Sequence, residues 1–163
     1  TVTLSIRIGD QRMYLDQIES LEEVRVTVDI GKPLPIHCGA SGKIFLAFMD
    51  PAEIDRILAA GPLPALTAAT IVDPSQIRQQ LATVRAQGYA MSLGERVAGV
   101  HAAAAPLRSN TGEVVAAMGL SGPASRLTPE RLADRAPYLV EAATTLSDTF
   151  GWALAGARGR TSA

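Results

Sequence analysis

The side chains with chemical reach fall in two stretches of the 163-residue chain. One is His37-Cys38-Gly39-Ala40-Ser41-Gly42-Lys43, and the other runs from Ser92 through Glu95 to Arg96. A histidine beside a cysteine suggests thiolate chemistry, since a nearby base can take the thiol proton. Adjacent residues point in different directions in a strand or helix, so His37 and Cys38 are poorly placed as base and nucleophile. A small buried cysteine is the simpler reading. Gly39 to Lys43 opens a helix, where free N–H groups and the helix dipole attract anions. Glycine and alanine there would let a ligand come close to the main chain, although tight packing on a sheet explains such a start equally well. A nucleotide phosphate loop would need glycine at position 37 and Ser or Thr after the lysine, where His37 and Ile44 stand. Glu95-Arg96 reads as a local surface ion pair, and His101 as a packed or interface histidine. No spacing matches a metal site, and no motif asks for a cofactor.

The elements that must position these groups follow from periodicity. Val2, Leu4, Ile6 and Ile8 alternate with polar residues as in a half-buried strand, and Gly9-Asp10 turns the chain into a second strand over 12–18. Val24 to Val28 alternates again and predicts a third. Ile44, Phe45, Leu46 and Phe48 predict a short, strongly buried helix. Asp50-Pro51-Ala52-Glu53 and Asp73-Pro74-Ser75-Gln76 each supply an N-cap followed by proline, with Glu53 as a capping-box acid, and Gly61 and Gly88 stop the two helices. After a short strand at Tyr89 to Ser92, strands at 99–108 and 113–121 flank the turn Ser109 to Gly112. Thr128-Pro129-Glu130 opens a last helix, with Leu132, Leu139, Ala143, Leu146 and Phe150 on one face, and Pro137 should kink its first turns or delay its true start. Strands, helices, strands, helix in that order imply an α+β fold: an antiparallel sheet with helices packed against it.

The hairpin at 99–121 is the most informative element. A four-residue loop would pair Arg108 with Glu113, Pro106 with Val115, Ala104 with Ala117, Ala102 with Gly119, and Val100 with Ser121. One face is then nearly bare, while Leu107, Val114, Met118, Leu120 and His101 make the other bulky. The bare face leaves a hollow unless a helix closes over it, and both readings are open on geometry alone. A metabolite pocket is mostly apolar with a few polar groups, which Ser121 and the segment Ser92 to Glu95 could supply.

Composition narrows the function classes. A 47% apolar, 19% charged chain of this length builds one core without staples. One cysteine excludes an internal disulfide and fits a reducing cytoplasm. The net charge of −1 and thirteen dispersed arginines against two lysines provide no basic patch for nucleic acid. No apolar run approaches the ~20 residues of a membrane span, and nothing at the start reads as a secretory leader.

Several blocks in order resemble the effector-binding domain of IclR-type transcriptional regulators. They are Gly31-Lys32-Pro33-Leu34-Pro35-Ile36-His37-Cys38-Gly39-Ala40-Ser41-Gly42-Lys43; Gln87-Gly88-Tyr89-Ala90; Gly94-Glu95-Arg96-Val97-Ala98-Gly99-Val100; Ala104 to Arg108; Gly112 to Ala117; and Leu120 to Pro123, with Arg126-Leu127-Thr128 after them. The resemblance covers nearly the whole chain. It implies a GAF-like fold, with an antiparallel sheet of about six strands flanked by helices on both faces. It also implies a small-molecule site at Ala40 and Ser41 on the helix-start loop, Ser92 on the short strand, Val100 and Ala102 on one hairpin strand, and Gly119 and Ser121 on the other.

Some relatives carry an acid near position 92, a cysteine near 102 and a serine near 119. Ser92, Ala102 and Gly119 therefore imply a roomier, less polar cavity suited to an aromatic or larger organic acid. The expected function is an effector-sensing and oligomerising domain, not an enzyme, binding a small organic acid through Gly39, Ala40, Ser41, Ser92, Glu95, Val100, Ala102, Gly119 and Ser121. The expected domain spans 1–155 with a disordered tail at 156–163. It would act in the cytoplasm as a homodimer or homotetramer, contacting DNA only through a winged helix-turn-helix domain outside this chain. The competing readings are a hydrolase or transferase using Cys38 or Ser41, and an oligomerisation module with a degenerate pocket.

Overall fold

A computed structural model of the protein describes residues 1–158 in backbone, and side chains through Thr149. Strands β1 (Val2–Ile8) and β2 (Gln11–Ile18) form the first hairpin, and Gly9 makes its turn at φ 57°. After β3 (Leu34–Pro35) come helices α1 (Ala40–Ala47), α2 (Pro51–Ala59) and α3 (Pro74–Gln87). Then follow β4 (Ala90–Leu93), β5 (Val100–Arg108), β6 (Val114–Pro123) and α4 (Pro129–Arg158). The strands make one sheet in the order β3-β2-β1-β6-β5-β4, with every neighbouring pair antiparallel. This is the expected α+β, GAF-like arrangement with about six strands.

Helices cover both faces. Every residue of α1 is buried, and Ile44, Phe45 and Leu46 pack with Ile54, Ile57 and Leu58 of α2 and Ile77, Leu81 and Val84 of α3 over Ala90, Ala104 and Ala117 of the sheet. Each large apolar side chain buried this way contributes ~1.5–3 kcal/mol. The small sheet residues let α1 lie close. On the opposite face Ala103, Ala105, Leu107 and Ala116 meet Leu132, Leu139 and Ala143 of α4. Asp50 accepts from the Ala52 amide and Asp73 from Gln76, while Gly88 ends α3 in the left-handed region at φ 80°. Glu53 does not close a capping box; it pairs with Arg7 of β1.

Two further expectations are corrected. Val24 to Val28 is not a strand. Val26 and Val28 are buried, but the Gln17 side-chain amide takes both backbone groups of Val28, standing in for the ladder partner a neighbouring strand would have supplied. The second correction concerns the hairpin register. Arg108 pairs with Val114, not Glu113, and a bulge at Val115 brings Leu107 opposite Ala116, so Ala104 faces Gly119, Ala102 faces Ser121, and Val100 faces Pro123. Loop and bulge each add one residue. Because side chains alternate with period two, a total shift of two keeps them on the expected faces. Val114, beyond the bulge, changes sides and packs on the α1 face. Helix α4 runs from Pro129 to Arg158 with Pro137 inside it. Residues 159–163 of the expected tail, and the Phe150 side chain, lie outside the described residues.

Candidate ligand-binding site

The amino end of α1 points at the bare sheet face, and a cavity opens between them. Gly39, Ala40 and Ser41 border it from the helix, Ser92 from β4, Val100 and Ala102 from β5, and Gly119 and Ser121 from β6. Eight of the nine expected positions therefore share one cavity. Glu95 does not border it.

Sequence reasoning did not anticipate what fills the far wall. Thr3 of β1, Arg12 and Tyr14 of β2, and Arg96 and Val97 of the segment between β4 and β5 border it there, and Ala103 of β5 and Leu120 of β6 complete the lining. Arg12 and Tyr14 are inward neighbours on β2, whereas Leu15 is exposed. The strand thus turns a polar face to the interior, the reverse of the alternation that hydropathy suggests. The enclosed space is only ≈ 30 Å³, room for about one or two waters. The cavity is narrow and cationic, not roomy and weakly polar as the departures at 92, 102 and 119 suggested.

The glycines record the same crowding. A Cβ on Gly119 would stand 2.5 Å from Thr3 Oγ1, and one on Gly42 would stand 2.3 Å from the Ile36 carbonyl oxygen. A Cβ on Gly39 would stand 3.0 Å from Arg12 Nη2, and Gly39 also has φ 79°. Arg12, Thr3 and the Ile36 carbonyl, and not a ligand, are the groups whose close approach these glycines permit.

Arg12 is only 1% exposed, and its Nε and Nη1 have no hydrogen-bond partner among the described residues. It sits against the first turn of α1, the positive end of the helix dipole. The Tyr14 ring lies 5.0 Å from its guanidinium carbon, a contact worth ~0.5–2 kcal/mol, against a desolvation penalty of several kcal/mol for a buried ion. The attraction does not offset the penalty, so the charge is uncompensated. Nearby, the amides of Ala40 and Ser41 meet no acceptor among the described residues, and the buried Ser121 Oγ is likewise without a partner. These donors converge on the cavity, a suitable environment for an anion.

Glu95 is buried at 6% exposure, which corrects the surface-pair reading with Arg96. Its Oε1 lies 2.5 Å from Lys43 Nζ, and its Oε2 accepts from the Gly39 amide at 3.3 Å. Its carboxylate fastens the β4–β5 segment to α1, and Thr67 and Thr70 hydroxyls donate to the Glu95 carbonyl oxygen from outside.

The candidate nucleophiles are poorly equipped. Cys38 is 1% exposed, and burial pushes its thiol above the ordinary range, with Arg12 opposing only in part. His37 is held neutral by burial, with Nε2 3.1 Å from the Pro64 carbonyl oxygen. Ser41 Oγ is 3.3 Å from Ser5 Oγ, and His101 Nδ1 is 2.8 Å from the Leu127 carbonyl oxygen, as a packed histidine. Neither imidazole is available to Ser41 or Cys38. Among the described residues no cluster of three His, Cys, Asp or Glu could hold a metal, and no helix is long and apolar enough to cross a membrane.

The family profile described as "Bacterial transcriptional regulator IclR C-terminal" matches residues 1–148. The chain is 34% identical over 151 residues to the HTH-type transcriptional repressor AllR of Klebsiella pneumoniae, covering 93% of this chain and 56% of that protein. It therefore spans little more than half the length of this relative. The Thermotoga maritima IclR structure superposes with a TM-score of 0.85 at 28% identity, covering 92% of this chain and 61% of that one. The inducer-binding domain of a PobR double mutant from Acinetobacter, solved with 3-hydroxybenzoic acid, superposes with a TM-score of 0.77 at 25% identity, covering 90% and 86%.

Proposed function

The chain belongs to the IclR family of bacterial transcriptional regulators, matching its C-terminal domain, and from that premise we propose that it senses a small organic acid in the cavity at the start of α1. The relatives are regulators and not enzymes, which sets the hydrolase and transferase reading aside. The observation that carries the proposal is Arg12: a buried guanidinium whose Nε and Nη1 have no partner among the described residues, beside amides of Ala40 and Ser41 that meet no acceptor there. A carboxylate in the cavity would compensate all three. Ser92 and Ser121 would read further polar groups, Gly39, Val100, Ala102 and Gly119 would shape the walls, and Glu95 would hold the helix start in place. The organic acid in the PobR complex supports the ligand class.

The closed cavity holds little more than water, so binding requires Arg96 and Val97 to move outward or the walls to part. The ligand would bias an oligomer between states of different DNA affinity, and it can do so only through its differential affinity for them. DNA contact would come from a winged helix-turn-helix domain outside this chain, working in the cytoplasm. Exposed Ile18, Leu21 and Val24 support self-association as a homodimer or homotetramer.

A thermal-shift screen with short, branched and aromatic organic acids tests the reading. Ligand at ~100 times its dissociation constant should stabilise the domain by ~2.7 kcal/mol. Ser41→Trp should remove that shift while circular dichroism shows the fold retained. If no acid shifts the transition, the cavity is degenerate and the domain serves oligomerisation alone.

A further inference from the structure

Arg12 and Arg96 both lie over the Tyr14 ring, 5.0 and 5.6 Å from its centre, and both line the cavity. Arg12, Arg96, Lys43 and Glu95 all lie within electrostatic reach of Cys38. Lys43 and Glu95 neutralise one another at 2.5 Å. Neither guanidinium meets a carboxylate among the described residues, so the cavity carries two positive charges that the protein leaves unbalanced. The dipole of α1 adds to this positive field. The one carboxylate that could oppose a negative ligand is held by Lys43 and the Gly39 amide, facing away from the space.

Resting on the sensor reading above, we propose that the effector is a dianion: a small dicarboxylic acid gripped at both ends. One carboxylate lies at Arg12 and the amides of Ala40 and Ser41, and the other pairs with Arg96 at the mouth. The two arginines are not equivalent. Arg12 is shut away from bulk solvent, so any acid that binds must answer its charge. Arg96 is half-buried and can be hydrated when unpaired. It therefore sets preference, not binding itself: it distinguishes an acid with two charges from one of the same length with a single charge. Guanidinium–carboxylate pairs are the stronger class of hydrogen bond and suit this discrimination.

Calorimetric titration of the 163-residue chain at neutral pH tests this with matched acids: succinate against butyrate, glutarate against valerate, and terephthalate against 4-methylbenzoate. The diacid of the best-binding pair should bind about tenfold or more tightly than its monoacid, and lose more affinity as salt rises. Arg96→Gln should lower the diacid to the level of the monoacid and leave the monoacid within about twofold. Arg12→Gln should abolish both, with circular dichroism confirming the fold. A monoacid that equals its diacid, or an Arg96→Gln loss shared equally by both, overturns the dianion assignment and leaves the sensor reading standing. If no acid of any pair binds, the sensor reading falls and this assignment falls with it.

Discussion

Lys43 Nζ and Glu95 Oε1 meet at 2.5 Å inside the protein, 4% and 6% exposed, and the contact joins α1 to the segment that carries Arg96 and Val97. Gln80 accepts a second hydrogen bond from the same ammonium at 3.0 Å, and the Gly39 amide donates to the same carboxylate. One buried ion pair thus fixes the helix start, one wall of the cavity, and the contact with α3.

Removing one partner should cost far more than removing both. Glu95→Ala leaves an ammonium in the interior, and urea denaturation should show a loss of ~3–5 kcal/mol. The Lys43→Met/Glu95→Leu double variant removes the uncompensated charge and should recover most of that loss. A double variant as unstable as Glu95→Ala would show that the pair stabilises through packing and not charge.

Cys38 should be inert in the folded protein. Burial raises its thiol above the ordinary range and leaves it 1% exposed, so neither the thiolate nor a path to it is present. Iodoacetamide at pH 7.5 should leave native protein unmodified over hours and alkylate it promptly in denaturant. Labelling of native protein at the rate of a free thiol would contradict the burial of this residue.

Gly119 and Thr3 should behave as a matched pair. A Cβ at 119 would stand 2.5 Å from Thr3 Oγ1, so Gly119→Ala should destabilise by ~1–3 kcal/mol through overpacking. Adding Thr3→Ala removes the opposing hydroxyl and should restore most of the stability. Strict additivity of the two changes in thermal unfolding would place the strain elsewhere.

Local signals were the legible ones. Asp50, Asp73 and Gly88 cap helices by contacts with residues at most four positions away, and sequence order alone reveals them. The bare face of β5 and β6 was legible because the register error came to two residues and kept its alternation. Val24 to Val28 alternates without being a strand because alternation reports burial alone, and the Gln17 side chain supplies the pairing of Val28 in place of a neighbouring strand. Arg12 was hidden because nothing in its neighbours marks it as inward-facing. Its place depends on Gly39 and Gly42, some thirty residues away, making room for it. The Lys43–Glu95 pair spans 52 positions, and Arg96 offered Glu95 a nearer partner that the fold does not use.

Stability should fall on the acid side because of His37. Burial lowers its folded-state pKa below the ordinary ~6.5, so above that value both folded and unfolded chains are neutral there and the group has no effect. As pH drops below ~6.5, the unfolded chain gains a proton the folded one resists, and folding weakens until the folded-state value is passed. The melting temperature measured from pH 7.5 to 5 should decline, and the decline should be shallower in His37→Gln. An equal slope in both proteins would assign the acid sensitivity to other groups.

Arg12 offers the sharpest test, because stability and ligand binding should move in opposite directions. The domain holds a guanidinium at 1% exposure with two nitrogens unpartnered among the described residues, and sets it at the positive end of α1. A buried charge without a partner costs several kcal/mol, and the Tyr14 contact returns only about 2 kcal/mol of it. Arg12→Met keeps a long apolar stem in the same slot and discards the charge, so the ligand-free variant should unfold ~1–3 kcal/mol later in denaturant than the parent. The same variant should show no thermal shift with any organic acid that stabilises the parent. A variant less stable than the parent would mean that Arg12 is satisfied within the fold, and the cavity would then lose its claim to an anion.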